Sequence, residues 1–419
     1  MKVIIAGAGI GGLTAALSLQ KVGIDAKLFE ASAEILPMGV GINILPHAAR
    51  ELCELGLKEA IDRIAIRTSN MNYYTRQGKL VISELCGTYA GYRWPQWSVH
   101  RGALQMLLLS KFQKRAGAGQ VVSGSQLSNF VQTGSKVTAY FTNPKTGNIT
   151  SEEADLLIGA DGLHSATRKK MFPREEKPRY SGLVAYRGAV ESRQFLDGQT
   201  MAIIGDKRQR LVCYPIAKEN LLANKGSSIV NWIACIPVPE PDAPREDWQR
   251  ESEQQLLGAM YENWQYNWLD VPNLIHHTER IYEFPLYDRD PHRQWTFGRV
   301  SLLGDAAHPM IPVSSNGAAQ AILDARALAW ALAKANDPMA GLMDYEDERL
   351  EKANRVVLAS RANGPDQVLE IAREQCPEDA EYVHDYIPQQ NLQQIINAFK
   401  LATGATPDVL NSAPSYSQV

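Results

Sequence analysis

The sequence predicts an α/β fold: a Rossmann-like unit interleaved with a mostly antiparallel α+β domain and followed by C-terminal helices. Three observations carry this reading. Residues 1–30 run strand, glycine turn, helix, strand. Strand-to-glycine turns recur at 156–168 and at 299–309, and residues 181–236 and 278–288 are strand-like and rich in aromatics.

The opening unit comes first. Lys2-Val3-Ile4-Ile5-Ala6 is too short for a helix and carries the β-branched residues of a strand buried on both faces. Gly7, Gly9 and Gly12 form G-x-G-x-x-G: the first allows the turn, the second lets backbone approach a pyrophosphate, and the third packs helix on strand. Leu13, Ala16, Leu17 and Leu19 keep helical spacing to a stop at Gly23, and Ala26–Phe29 is the next strand. Glu30 follows, eighteen residues past Gly12, near the spacing at which an acid accepts from the ribose hydroxyls of an adenine dinucleotide. A 2′-phosphate would be repelled there, so the ligand is FAD or NAD rather than NADP. A ligand-free glycine turn leaves Glu30 unexplained.

With 419 residues, 45% hydrophobic and 21% charged, the chain is ordinary for a soluble globular protein of two or three domains. A net charge of −3 gives no footing for nucleic acid or an anionic membrane, so small molecules are the expected partners. The first strand begins at residue 2 and no apolar run approaches a membrane span, which reads as cytoplasmic. The five cysteines, Cys53, Cys86, Cys213, Cys235 and Cys376, form no C-x-x-C and read as free thiols. The histidines show no ligand spacing, so no metal is expected.

Further along, the small-residue loop ASAEILPMGVGINI, containing Gly41, lets a cofactor pass close to backbone, and Pro46-His47-Ala48 opens a helix closed by Gly56. Residues 70–86 read as two strands joined at Gln77-Gly78, outside the Rossmann core. Arg101 precedes a helix from Leu104 to Arg115; a cation at a helix start opposes the macrodipole and needs an external anion such as a pyrophosphate. Residues 121–158 read as a meander leading into Gly159-Ala160-Asp161-Gly162, where Asp161 is placed to cap the amides that follow. Strands are expected over 181–236 and 278–288, separated by a proline-rich loop and an amphipathic helix from about Trp248 to Trp264. After the Gly304-Asp305 turn, helices are expected from Asn316-Gly317 to Ala335, near 342–374 and near 388–402, with a disordered tail over 403–419.

GAGIGG with Glu30, GADGLHSATR at 159–168 and GDAAHPMIP at 304–312 together resemble the single-component FAD-dependent aromatic hydroxylases, the group of p-hydroxybenzoate and salicylate hydroxylases. GVGINI at 39–44, SVHRGALQM at 98–106, YRG at 186–188, FLDGQTM at 195–201, NW at 231–232 and NGAAQAILD at 316–324 resemble the phenazine-modifying flavin monooxygenases of that group. The resemblance implies FAD held by Gly7, Gly9, Gly12, Glu30, Gly41, Arg101, Leu127 through its backbone, Asp161, Asp305, Asn316 and Gly317. It implies NADH or NADPH and O2 as co-substrates, and a flavin C4a-hydroperoxide that hydroxylates an electron-rich aromatic acid, with or without loss of its carboxylate. The protein's part is to hold the ring, exclude water and help deprotonate a phenol or amine. Arg187, Tyr214, Trp232, Met310 and Pro312 are the candidate pocket residues, and Arg187 needs an anion if buried. One departure stands out: the family's P-x-x-G-x-G loop reads Pro312-Val313-Ser314-Ser315-Asn316-Gly317, with Ser314 read as replacing the first glycine.

The expected domains are an FAD-binding domain from 1–70, 98–180 and 290–360, a substrate domain from 71–97 and 181–289, and C-terminal helices over 361–402, in a monomer or homodimer of secondary metabolism. A nicotinamide dehydrogenase leaves Gly304-Asp305 unexplained, a dithiol flavoprotein needs C-x-x-C, and a halogenase needs a paired-tryptophan motif that the sequence lacks. The other readings are an epoxidase or ring-expanding oxygenase on the same scaffold, or a non-catalytic FAD and ligand binder.

Overall fold

The computed structural model describes residues 1–37, 39–217, 226–240 and 254–417. A six-stranded sheet runs in the order Thr296–Phe297, Val300–Leu302, Leu156–Gly159, Lys2–Ala6, Asp25–Phe29, Val121–Val122, parallel except for the first pair. Alternation along its strands feeds two cores. Val3 and Ile5 pack with Leu13 and Leu17 of the helix Ile10–Lys21, Leu104 of Arg101–Ala116 and Ile322 of Gly317–Lys334. Ile4 and Ala6 turn the other way, onto Phe130, Val137 and Phe141 of a three-stranded antiparallel sheet. A strand covered on both faces has to be apolar at every position, and so it reads as an unbroken run.

The second body is a seven-stranded sheet in the order Tyr282–Asp288, Arg179–Arg193, Ser227–Pro237, Gln209–Pro215, Met201–Asp206, Asn70–Tyr74, Leu80–Leu85. One face packs on Trp264, Leu274 and Ile275. The other carries Tyr73, Met201, Ile203 and Tyr214 against the C-terminal helices Gln367–Gln375 and Gln389–Ala402. The helix expected over 248–264 is present as Gln254–Met260, and residues 248–253 lie outside those described. Among the described residues no helix is long and apolar enough to cross a membrane.

The C-terminal region departs from the expected pattern in two places. The helix expected over 342–374 is two helices, Pro338–Arg361 and Gln367–Gln375, parted at Asn363-Gly364-Pro365, where Asn363 and Gly364 take left-handed backbone and proline cannot continue an i→i−4 ladder. The tail is structured as far as Ser417, in place of the expected disorder: Pro407–Ser412 is helical, Leu410 is buried, and Tyr416 lies edge-on to Trp330 while its hydroxyl donates to Glu348 at 2.7 Å. Two apolar anchors among small polar residues are enough to dock the segment, and averaged composition hides them.

The Gly364-Pro365-Asp366 turn also supplies the partner of Arg210, whose guanidinium lies under the C-terminal helices and is ion-paired to Asp366. Removing one member of a buried pair strands the other charge and costs about 3–5 kcal/mol. Asp366→Ala is therefore expected to lower the free energy of unfolding by about that amount in a urea titration, whereas a loss near the ~0–1 kcal/mol of an exposed pair would show that the turn does not hold this charge out of water.

Candidate functional site

Three strand ends meet at one edge of the parallel sheet. Ala6 pairs with Gly159, and Gly159 with Leu302, so the turns at Gly7, Ala160–Gly162 and Gly304–Asp305 leave the sheet side by side. The Ala160 amide donates to the Ala6 carbonyl at 2.8 Å and the Leu303 amide to that of Gly159 at 2.9 Å, which locks the register. The three glycines of the first motif have the separate tasks that their spacing suggests. At Gly7 (φ 105°) a Cβ would lie 2.3 Å from the Ala160 carbonyl oxygen, and at Gly12 it would lie 2.0 Å from the Gly7 carbonyl oxygen. At Gly9 a Cβ would meet no described protein atom within 4 Å, so packing within the chain does not require glycine there.

Glu30 stands beside this turn, its carboxylate accepting from the Ala8 amide at 2.8 Å and the Ser32 amide at 2.9 Å. A carboxylate has about four acceptor positions, so two lone pairs are left for hydroxyls. Arg101 opens its helix as expected, its amide donating to the Val40 carbonyl at 2.9 Å. The residue is solvent-accessible yet walled by protein: burial draws its pKa down and Arg187 adds to that, against the pull of Asp305 and Glu30. Asp305 is in the same situation with the opposite sign, accessible at the floor of the cleft, its carboxyl pushed above the usual range by burial against the pull of His308 and Arg101. An accessible cation and an accessible acid, electrostatically coupled to each other, are chemically suited to a ligand with both anionic and hydroxylic parts.

A buried cluster fixes the Asp305 turn from behind. Asp324, fully buried, accepts from the Gly304 amide at 3.0 Å, from Arg349 at 2.8 Å and from His308 Nε2 at 2.5 Å. Burial alone would raise its carboxyl, but His308 and Arg349 hold it below the ordinary carboxylate range. Asn316 stands at the start of the helix Gly317–Lys334, where a Cβ on Gly317 would lie 3.9 Å from Asp305 Oδ1 and 4.0 Å from Met310 Cγ. The helix start, the carboxylate and Met310 thus share one corner, onto which the helix directs a partial charge of about +0.5.

The other candidates divide by where their side chains are spent. Asp161 gives both oxygens to bracing the helix Ala166–Met171, accepting from Ser165 Oγ at 2.5 Å and the Thr167 amide at 3.0 Å, so its backbone and Gly162 are what face the turn. Gly41 donates its amide to Asn231 Oδ1 at 2.7 Å, and a Cβ there would strike Asn231 at 2.7 Å; this glycine joins the two bodies. Leu127 buries its side chain with Phe130 and Phe141 on an edge strand, which leaves backbone to offer.

A cavity opens from this corner between the seven-stranded sheet and the C-terminal helices, with about 1240 Å³ of non-atom space including its mouth. Tyr214 and Pro312 line it; among the described residues Arg187, Met310 and Trp232 are not part of its wall. Trp232 is a correction. It pairs in register with Cys213 while Tyr214 pairs with Asn231, so strand alternation turns the indole to the far face, where Nε1 donates to Thr278 Oγ1 at 2.8 Å. Arg187 lies over Phe284, 5.7 Å from the ring centroid, and its Nε has no hydrogen-bond partner among the described residues. The loop departure is also corrected: the left-handed non-glycine residue is Ser315 (φ 56°), third after Pro312 and hence at the glycine position of P-x-x-G-x-G, rather than Ser314.

His47 is a cavity residue that the sequence did not single out. It is buried, lines the cavity beside Asn316 and Pro312, and its Nε2 lacks a partner among the described residues. Burial, with Arg349 and Arg50 nearby, pulls its pKa down to about 4, so the ring is neutral at physiological pH and one nitrogen is an acceptor. Its signal in the sequence is Pro-His at a helix start directly after the GINI strand, a position indistinguishable from an ordinary first turn without the fold.

Residues 1–360 match the FAD binding domain family. The chain is 40% identical over 363 residues to a phenazine 1,6-dicarboxylic acid hydroxylase of Lysobacter antibioticus, covering 86% of this chain and 89% of that one. It is 33% identical over 400 residues to a 3-amino-4-hydroxybenzoate 2-monooxygenase of Streptomyces platensis, covering 92% and 94%. Its fold is similar to that of a Klebsiella pneumoniae HpxO variant complexed with FAD, with a TM-score of 0.77, 26% identity and coverage of 97% of this chain and 99% of that one.

The contrast between two glycines is a direct test of the cleft. Gly9→Ala should leave the melting temperature of the apoprotein in place and weaken FAD about tenfold or more in a fluorescence-quenching titration, while Gly12→Ala should lower the melting temperature itself; unchanged FAD affinity in Gly9→Ala would contradict the assignment. In ¹⁵N-histidine-labelled protein the His47 imidazole should show no protonation between pH 5 and 8 and should titrate only near a pH of about 4, and a midpoint near the ordinary value of about 6.5 would show that it is not buried as described.

Proposed function

The chain belongs to the FAD binding domain family and is an FAD-dependent aromatic monooxygenase, and we propose that it hydroxylates an electron-rich aromatic acid, with NADH or NADPH as reductant and O2 as oxygen source. The observation that carries this reading is the accessible Arg101–Asp305–Gly317 corner at the meeting of three strand turns, next in sequence to Asn316, which lines a largely apolar cavity.

The residues fit FAD. Glu30 would accept from the ribose, the amides around Gly9 and the Arg101 guanidinium would meet the pyrophosphate, and Asp305 would accept from the ribityl hydroxyls. Gly7 and Gly12 shape the turn that receives it, Leu127 and Asp161–Gly162 would present backbone along its length, and the Asn316–Gly317 amides would face the pyrimidine edge of the ring. Bound FAD supplies the hydride acceptor and the activation of oxygen.

The chain's own residues do the rest. The cavity wall of Met201, Ile203, Tyr214 and Ile233 keeps water from the reacting corner and holds an aromatic ring by its faces. His47, kept neutral, would accept the proton of the substrate phenol or amine, which raises electron density on the ring carbon to be hydroxylated. Arg187, paired in register with the cavity residue Ile233 and electrostatically coupled to Arg101 and Tyr214, would answer the substrate carboxylate or the cofactor's anionic edge. The two relatives are named for a phenazine dicarboxylic acid and an aminohydroxybenzoate, which supports a carboxylated aromatic as substrate.

The test is a panel of hydroxy- and amino-aromatic acids, following NADH or NADPH consumption together with product mass. The expected result is consumption that rises with an aromatic acid and a product heavier by one oxygen, or by one oxygen with carboxyl lost; consumption indifferent to every acid would favour a binder without turnover, and an epoxide or expanded ring would move the chain to the rival oxygenases. Arg187→Ala should raise KM for the accepted acid about tenfold, and an unchanged KM would remove Arg187 from substrate binding.

A further inference from the structure

One wall of the cavity is built by a part of the chain beyond residue 360, where the family match ends. The helix Gln389–Ala402 and the residue that follows it show one continuous stripe to the cavity, Ile396, Phe399, Lys400 and Thr403, at the i, i+3, i+4, i+7 spacing of a single helical face. Leu392 and Ile396 anchor that face in the cluster that contains Tyr73, Met201, Ile203 and Tyr214, residues that wall the same cavity from the sheet.

The helix is clamped at one point. Glu84, buried on the edge strand Leu80–Leu85, accepts from Lys400 Nζ at 2.6 Å and from Gln393 Nε2 at 2.5 Å. Past the helix, the Ala405 carbonyl accepts from Tyr92 OH at 2.5 Å, which ties the returning chain to the same rim. Phe399 is set against Gly364, where a Cβ would lie 3.0 Å from the ring, so glycine leaves the room that the ring occupies. The charged groups along this wall cancel in pairs, Glu84 with Lys400 and Asp366 with Arg210, so they add polarity without a net charge.

Pro312 and Asn316 line the same cavity as Phe399 and Thr403, so the C-terminal helix and the Asn316 corner wall one space. Resting on the proposed hydroxylase function, we propose that the C-terminal helix is the specificity wall of this enzyme, with Phe399 stacking on the remote ring of a fused-ring aromatic acid and the Glu84 clamp setting its distance. Face-on aromatic contact adds to what burial alone supplies, and a loosened wall gives up both.

The experiment measures Kd by perturbation of the flavin absorbance spectrum, with phenazine-1-carboxylate as the fused-ring probe and 3-amino-4-hydroxybenzoate as the single-ring one, in FAD-loaded wild type, Phe399→Ala, Phe399→Leu and Glu84→Gln. The expected result is tighter binding of the phenazine acid by wild type, a loss of about tenfold or more for it in Phe399→Ala and a smaller loss in Phe399→Leu and Glu84→Gln, while the single-ring acid shifts less than about twofold in all three. Equal shifts for both acids, no shift in any variant, or wild type that prefers the single ring would overturn the proposal with the hydroxylase reading intact. Wild type whose spectrum responds to neither acid, and which consumes no reductant with either, would overturn both.

Discussion

Everything in this molecule depends on the parallel pairing of three strands that are far apart in sequence, Lys2–Ala6, Leu156–Gly159 and Val300–Leu302. Parallel strands end at the same edge, so pairing them brings three glycine turns together that have no other reason to meet. Because the central strand is sandwiched between helices and a second sheet, a slip of one residue would exchange the side chains of two cores, and the register is strongly specified. The site is thus a consequence of the core: the hydrophobic pattern that holds the sheet together also decides that the turns of Gly9, Asp161 and Asp305 face one cleft.

Electrostatics then makes the cleft selective. Asp324 is charged and buried without exposure to water, and it is tolerable because the Gly304 amide, His308 and Arg349 satisfy it from three sides. It holds the Gly304–Asp305 turn rigid, so that Asp305 keeps its place near the start of the helix at Gly317. Stability from the Asp324 carboxylate is present above the ordinary carboxylate range and is lost as pH falls through its depressed pKa. Ser315 adds backbone strain at the next corner, since a non-glycine residue at φ 56° persists only where its surroundings hold it.

The nucleotide half is legible in the sequence because its signals are local. A strand, a glycine triplet and an acid at a fixed spacing need no knowledge of the fold, and Gly7, Gly12 and Glu30 stand where that pattern puts them. The substrate half is less legible because facing is a matter of register: Tyr214 and Trp232 look equivalent as aromatic residues in strands, yet the pairing of Tyr214 with Asn231 sends them to opposite faces. His47 is hidden by being an ordinary first-turn residue, and the tail by two anchors, Leu410 and Tyr416, diluted among small polar residues. Ser315 is distinguished from its neighbour Ser314 only by backbone conformation, which two adjacent serines do not reveal. The contribution of the C-terminal helix is beyond any local pattern, because Glu84 and Lys400 stand 316 residues apart.

The most direct measurement of the central claim is hydrogen exchange of the whole chain with and without FAD, read peptide by peptide. Convergence of the three turns predicts that FAD slows exchange together in residues 7–13, 30–32, 159–165 and 304–318, which sequence alone keeps far apart. Protection confined to the first glycine motif, with the 304–318 segment exchanging as before, would contradict the account.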